Sequence, residues 1–218
     1  MAENKIILFA NIKGGVGKTA LCSLFATYLA EKGLPVVALD ADLQQSLYRH
    51  RMREQKADPD ASLPWQIASL DMSDEKTVIK VMDKMKQVPG YVLIDCPGTL
   101  NDKNLLYIFK YADFVIVPIS YDADTIDATG IFIKIMHKTN PKVRFAFLPN
   151  RINDQEGKAA ELEQRKHTIE ILGSVGRVAP RIKQSVVVKR YTTLYPLDIY
   201  QRRAVEYSFE TIIEEINK

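Results

Sequence analysis

Lys13-Gly14-Gly15-Val16-Gly17-Lys18-Thr19 stands between an apolar run, Lys5-Ile6-Ile7-Leu8-Phe9-Ala10, and a stretch from Thr19 to Glu31 that reads as a helix. Strand, glycine-rich loop and helix, in that order, form the context that a phosphate-binding loop requires. A polyphosphate needs several inward-pointing backbone N–H groups, which glycine-rich backbone supplies at close range, and a helix N-terminus facing its charge. Gly14, Gly15 and Gly17 can supply that backbone. Lys18 is placed to reach the β- and γ-phosphates as a point charge, and the Thr19 hydroxyl can complete a Mg²⁺ shell beside phosphate oxygens and water. The nucleotide-binding run thus reads as Gly14, Gly15, Val16, Gly17, Lys18, Thr19 and Ala20. A plain glycine turn followed by a solvated lysine is the competing reading, and the flanking strand and helix weigh against it. The strict pattern G-x-x-x-x-G-K-[ST] is not met, because Ile12 stands where its first glycine would be and a second lysine, Lys13, comes five positions before Lys18.

Further apolar runs recur at Leu34 to Leu39, Trp65 to Leu70, Tyr91 to Ile94, Phe114 to Val117 and Val143 to Leu148. Helical patterns fall between them, at about 18–32, 44–55, 73–87, 103–110, 123–138, 156–172 and 200–216. Strands alternating with helices predict an α/β fold: one doubly wound, mostly parallel sheet with helices on both faces. The 218 residues suit a single domain spanning 1–218, and the break at Asp58-Pro59-Asp60 reads as a loop, not a linker. A hydrophobic fraction of 46% and a charged fraction of 26% are ordinary for a globular chain. No stretch approaches about 18 consecutive apolar residues and no secretory leader precedes the first strand, so a cytoplasmic location is expected. Cys22 and Cys96 lack metal or disulfide spacing, and Cys22 is expected to pack in the first helix. His50, His137 and His167 are scattered and read as surface residues.

In open α/β sheets the ligand sits at the carboxyl ends of the strands, so informative residues should follow the apolar runs. Asp40-Ala41-Asp42 follows the second run and Asp95-Cys96-Pro97-Gly98 follows Tyr91-Val92-Leu93-Ile94. An aspartate ending one strand is more often a turn former than a ligand. Two such strand ends beside a glycine loop favour the ligand reading, with Asp95 holding a water of a Mg²⁺ shell.

The run K-G-G-V-G-K-T resembles the deviant Walker A motif of the ParA/MinD family of ATPases, closest to the small plasmid and mobile-element partition ATPases. In that family Lys13 would be the signature lysine, which reaches across a nucleotide-sandwich homodimer to the partner's phosphates, as an arginine finger does elsewhere. Asp40-Ala41-Asp42 resembles the Walker A′ segment D-x-D-P-Q, with Leu43 in place of the proline and Gln44 as the glutamine. By resemblance Asp42 orients the attacking water and Asp40 supports the Mg²⁺ hydration shell, so the catalytic set is Lys13, Lys18 and Asp42 and the metal set Thr19, Asp40 and Asp95. Asp95-Cys96-Pro97-Gly98 is similar to the γ-phosphate switch, Asn150-Arg151 to the segment that reads adenine, and Pro180-Arg181 to a second base-flanking loop. ATP is implied over GTP because no N-K-x-D segment is present.

The resemblance implies a slow ATPase for DNA partition whose ATP dimer binds DNA nonspecifically, is nucleoid-associated, and is released by a ParB-like centromere-binding partner. Arg181, Lys183, Lys189, Arg190, Arg202 and Arg203 face one acid, Asp198, so Lys183, Lys189, Arg190, Arg202 and Arg203 are the expected DNA contacts. Charge alone is equally compatible with a solvated helical surface. No helix-turn-helix precedes the first strand, which speaks against specific operator binding. A MinD-like role requires a basic amphipathic C-terminus, yet residues 204–218 carry four glutamates and one lysine. Their stripe of Val205, Phe209, Ile212, Ile213 and Ile216 is expected to pack on the domain, so stable membrane association is disfavoured. Iron–sulfur relatives need cluster cysteines that Cys22 and Cys96 do not match. An ATP-dependent metabolic ligase on the same fold would leave Lys13 unexplained.

Overall fold

The computed structural model describes residues 3–153 and 159–218. Among these residues seven strands form one sheet in the order β3-β2-β4-β1-β5-β6-β7: β1 (Lys5–Phe9), β2 (Val36–Asp40), β3 (Gln66–Ser69), β4 (Tyr91–Asp95), β5 (Phe114–Ile119), β6 (Arg144–Pro149) and β7 (Arg177–Val178). All neighbouring strands are parallel. Parallel strands need crossover helices, which bury both faces of the sheet and demand nearly continuous apolar sequence. Tyr91 to Asp95 and Phe114 to Ile119 are accordingly buried at every position.

One face is covered by α1 (Lys18–Glu31), α2 (Ser46–Ala57), the short α7 (Val186–Lys189) and α8 (Ile199–Ile216). The other carries α3 (Glu75–Met85), α4 (Leu105–Tyr111), α5 (Ala123–Thr139) and α6 (Ala159–Gly173). The α8 stripe of Val205, Phe209, Ile212, Ile213 and Ile216 is buried, and Phe209 meets Phe25 edge-on with ring centroids 5.0 Å apart. Asp198 and Gln201 form a reciprocal capping box that starts this helix.

The structure departs from the sequence reading at short elements. β7 and α7 span two and four residues, too few to show a period, and neither was expected. β3 is an edge strand, exposed at most positions, and shorter than the apolar run around it. The helix expected from about 156 is seen from Ala159, its first positions lying outside the described residues.

Strand order places the candidate chemistry. From β1 the sheet grows in both directions, through β4 on one side and β5 on the other, so the loop after β1 opens where the order reverses. Asp40 and Asp95 are register partners at the carboxyl ends of β2 and β4, and Phe9 pairs with Asp95 on the far side. Residues 55 apart in sequence are thereby set side by side.

Candidate nucleotide site

The loop after β1 lines a crevice of about 1140 Å³ together with residues 41–44, Ser46, residues 97–99 and 101–104, Arg151 and Tyr191. Gly15 and Gly17 take φ of 79° and 95°, in the left-handed region where glycine is unstrained. Gly17 is needed twice, because a Cβ there would also stand 2.5 Å from Asn150 Nδ2. Gly17 is the N-cap of α1 and among the described residues no side-chain cap is made there, so first-turn N–H groups are left for a ligand. A Cβ on Gly98 of the switch segment would lie 3.3 Å from both Gly14 Cα and Lys18 Nζ, so glycine lets the segment approach the loop.

Lys18 is buried, and its Nζ donates to the Lys13 carbonyl at 3.0 Å. Burial lowers its pKa, opposed chiefly by the Asp95 charge. Asp95 is 1% exposed, and among the described residues neither of its oxygens has a hydrogen-bond partner. Burial pushes its pKa up to about 8. The Thr19 hydroxyl is the main group opposing that rise, although it does not reach hydrogen-bonding geometry. A buried carboxylate without donors is costly, and a cation or its bound water is the natural partner. No group of three or more His, Cys, Asp or Glu side chains able to hold a metal occurs among the described residues. Thr19 and Asp95 therefore fit Mg²⁺, which keeps several waters and binds through few protein groups plus phosphate, better than a metal held in an all-protein cage.

Asp40 has a duty that the sequence did not announce. It is fully buried, with Oδ1 accepting from Asp42 N at 3.1 Å and Oδ2 from Tyr48 N at 2.9 Å. It thus fixes the Asp42 loop and caps α2, whose N-cap Gln45 takes a positive φ of 50° and supplies no side-chain cap. Asp42 itself lines the crevice, its Oδ1 accepting from Gln44 N at 2.9 Å. Leu43, in the proline position of the resembled motif, is 81% exposed.

The two loop lysines are divided between inside and outside. Lys13 turns to the rim, where its Nζ meets Asp124 Oδ2 of α5 at 3.2 Å. Asn11 braces that arrangement from below: its Oδ1 accepts from Lys13 N at 3.3 Å, while its Nδ2 donates to Pro118 O and Thr129 Oγ1 at 3.0 Å. Neither Asn11 nor Asp124 was visible as a site residue, since Pro118 lies 107 positions from Asn11 and Asp124 lies 111 from Lys13.

Asn150 is buried and donates from Nδ2 to Val16 O at 2.9 Å, so it holds the loop as well as flanking it. Gly17, Ala20, Asn150, Arg151, Lys183 and Lys189 share one small cleft. Pro180 and Arg181 follow β7 and line neither that cleft nor the crevice among the described residues. Of the basic segment, Lys183, Lys189, Arg190 and Arg203 are exposed. Arg202 is engaged: its Nη2 lies 2.8 Å from Glu31 and its guanidinium 5.8 Å from the Tyr28 ring. His50, read as a surface residue, is half-buried and stacks on Tyr191 at 4.7 Å. Cys22 packs in α1 as expected.

A glycine loop after a central parallel strand, an uncapped helix N-terminus and carboxylates at neighbouring strand ends define a P-loop nucleotide-binding α/β protein. Residues 7–185 match the family described as the CobQ/CobB/MinD/ParA nucleotide binding domain, and the chain belongs to that family. It is 29% identical over 178 residues to the Maintenance of carboxysome distribution protein A of Halothiobacillus neapolitanus, covering 79% of this chain and 78% of that one. Protein ParA of Rhizobium radiobacter is 27% identical over 124 residues, covering 57% of this chain and 51% of that protein. In fold the chain resembles a putative plasmid partition protein of Borrelia burgdorferi bound to AMPPNP, with a TM-score of 0.77 at 20% identity, covering 97% of this chain and 99% of that one.

Proposed function

We propose that the protein is an ATP-dependent dimerising ATPase of the ParA type, which binds DNA nonspecifically as the ATP dimer and is released when a ParB-like partner stimulates hydrolysis. The observation that carries this reading is the split of the two lysines: Lys18 lies inside the crevice while Lys13, from the same loop, stands at its rim. A cation held at the rim is available to the phosphates of a second copy, where it would neutralise charge developing on the transferred phosphoryl group. The loop N–H groups and Lys18 hold the polyphosphate, Asp42 orients the attacking water, and Asn150 and Arg151 flank the adenine. Pro180 and Arg181 are assigned to the base by resemblance alone, since they line neither cavity among the described residues. Mg²⁺ would be held by Thr19 and, through water, by Asp95 and Asp40, and when bound it supplies charge neutralisation along the phosphates. Lys183, Lys189, Arg190 and Arg203 form the DNA-facing set, with Arg202 secondary because Glu31 already holds it.

Lys13→Ala is expected to remove ATP-dependent dimerisation and hydrolysis while ATP binding to the monomer persists. Sedimentation with ATP and Mg²⁺ checks this, and an unchanged dimer with parental turnover defeats the reading. The similarity to a maintenance of carboxysome distribution protein supports a second reading, a positioning ATPase for a cargo other than DNA. Among the described residues no helix is long and apolar enough to cross a membrane. The α8 stripe, being buried, is not available as a membrane-binding face.

A further inference from the structure

We propose that Arg49 and Arg53 on the outer edge of α2 join Lys189 and Arg190 in one continuous track for the sugar–phosphate backbone of duplex DNA. The inference rests on the reading of the protein as a DNA-binding ATPase, and it adds a surface that the basic segment near the C-terminus does not contain.

Arg49 and Arg53 are exposed and stand one helical turn apart. With Tyr191 they line a cavity of about 470 Å³ beside the nucleotide crevice. Tyr191 follows Lys189 and Arg190 directly, so two parts of the chain that are remote in sequence meet at one rim.

A buried polar tie fixes this junction. Arg51, two residues from each outward arginine and so on the opposite side of α2, is 1% exposed. Its Nε donates to Thr193 Oγ1 at 2.8 Å, Nη2 to Thr193 O at 2.7 Å and Nη1 to Trp65 O at 2.8 Å. Its guanidinium lies 4.2 Å from the Trp65 ring. Glu54 accepts from Thr193 N at 2.8 Å and from His50 at 3.1 Å, and His50 stacks on Tyr191. One acid of α2 is thereby consumed within the fold, while the outer edge keeps its cations.

Charge and composition select the occupant. The α2 sequence Ser46 to Ala57 holds Arg49, Arg51, Arg53 and Lys56 against Glu54 alone. No ion pair engages Arg49, Arg53, Lys189 or Arg190 among the described residues. Unpaired cations along a rim match a phosphate backbone, whose affinity comes from counterion release and needs no apolar anchor. The large apolar side chains exposed on α2, on the loop before it and on α7 are Met52, Leu43 and Val186, too few to embed a helix in lipid. Leu43, Gln44, Ser46 and Tyr191 line both the cavity and the crevice, so bound backbone would abut the loop that carries Asp42.

The test is fluorescence anisotropy with a random-sequence duplex of about 30 base pairs, titrated in ATP and Mg²⁺ across a salt series. Arg49→Ala/Arg53→Ala is expected to weaken binding at least about tenfold and to reduce the log–log salt slope by about two, at about 0.9 per phosphate contact. Arg49→Lys/Arg53→Lys should keep the parental slope, because a backbone contact asks for charge and not for a bidentate fork. ATP affinity and the ATP-dependent dimer, measured in parallel, should stay parental. A double alanine variant that binds like the parent, while Lys189→Glu/Arg190→Glu does not, overturns the inference and leaves the DNA-binding ATPase standing. Loss of the dimer together with DNA binding also overturns it, by making this edge an interface between copies. A parent protein with no salt-dependent duplex binding overturns both.

Discussion

The loop after β1 and the rim around Tyr191 both gather polar groups at the mouth of one crevice, but they are built in opposite ways. The loop is contiguous: five of seven residues from Lys13 to Thr19 are glycine or lysine, and the backbone itself makes the binding surface. The rim is composite, joining α2 to the segment after α7 through Arg51, Glu54 and Thr193. A contiguous site carries its geometry in its own dihedral angles. A composite site depends on a buried tie that touches no ligand, so it can be dismantled at a distance.

The largest expected effect removes the contiguous site. Lys18→Ala should abolish ATP binding in calorimetry while leaving the fold intact, because the lysine's neighbours are a backbone carbonyl and an unpartnered carboxylate. Unchanged affinity would contradict the loop assignment.

Asp95 gives the next largest effect, read in protein free of nucleotide and metal. Its pKa rises from 3.8 to about 8 on burial, so between those values the native state holds a proton that the unfolded chain has lost. Stability from this group is full at low pH and falls as pH climbs toward about 8, by up to about 1.4 kcal/mol per pH unit. Thermal melts from pH 5 to 8 should show the parent losing stability relative to Asp95→Asn. A parallel pH dependence of the two proteins counts against a protonated Asp95.

Breaking the composite site comes third. Arg51→Ala strips partners from Thr193 O and Trp65 O and opens a cavity against Trp65, at an expected cost of about 3 kcal/mol. Burial already lowers the Arg51 pKa to about 10, the mark of a cation that the fold keeps at a cost in solvation. Denaturant melts measure the loss, and ATP affinity should suffer less than DNA affinity. Equal losses of both would erase the distinction between the regions.

The smallest effect sharpens the comparison at its seam. Asp124→Asn releases Lys13 from an exposed ion pair worth about 0.2–1 kcal/mol, so ATP-driven dimerisation should tighten a few-fold with no change in melting temperature. Sedimentation equilibrium reads the first and calorimetry the second. A weaker dimer in the variant would mean that Asp124 serves the assembled state.

The same contrast explains what the sequence made legible. The loop, the strand ends at Asp40 and Asp95, and the α8 stripe are local patterns of glycine, alternation and period, and each is found where the pattern puts it. The strand order that sets Asp40 against Asp95, the hold of Asn150 on Val16, and the Lys13–Asp124 pair join residues between 55 and 134 positions apart. Such pairings arise from packing, and no local propensity encodes them. Arg51 is the sharpest case: among Arg49, Arg51 and Arg53 only helix phase distinguishes the cation turned inward, and phase cannot be assigned until a neighbour is known. The single stretch from Arg181 to Arg203 likewise read as six cations against Asp198 alone, although Glu31 engages Arg202.

The bond from Lys18 to the Lys13 carbonyl makes the loop its own rival. Any incoming molecule has to outbid a neutral oxygen already in place at 3.0 Å, and a second neutral oxygen gains nothing by the exchange. An anionic oxygen does gain, since a charge-assisted bond is roughly twice as strong. At this one position the loop therefore favours an anionic oxygen over a neutral one.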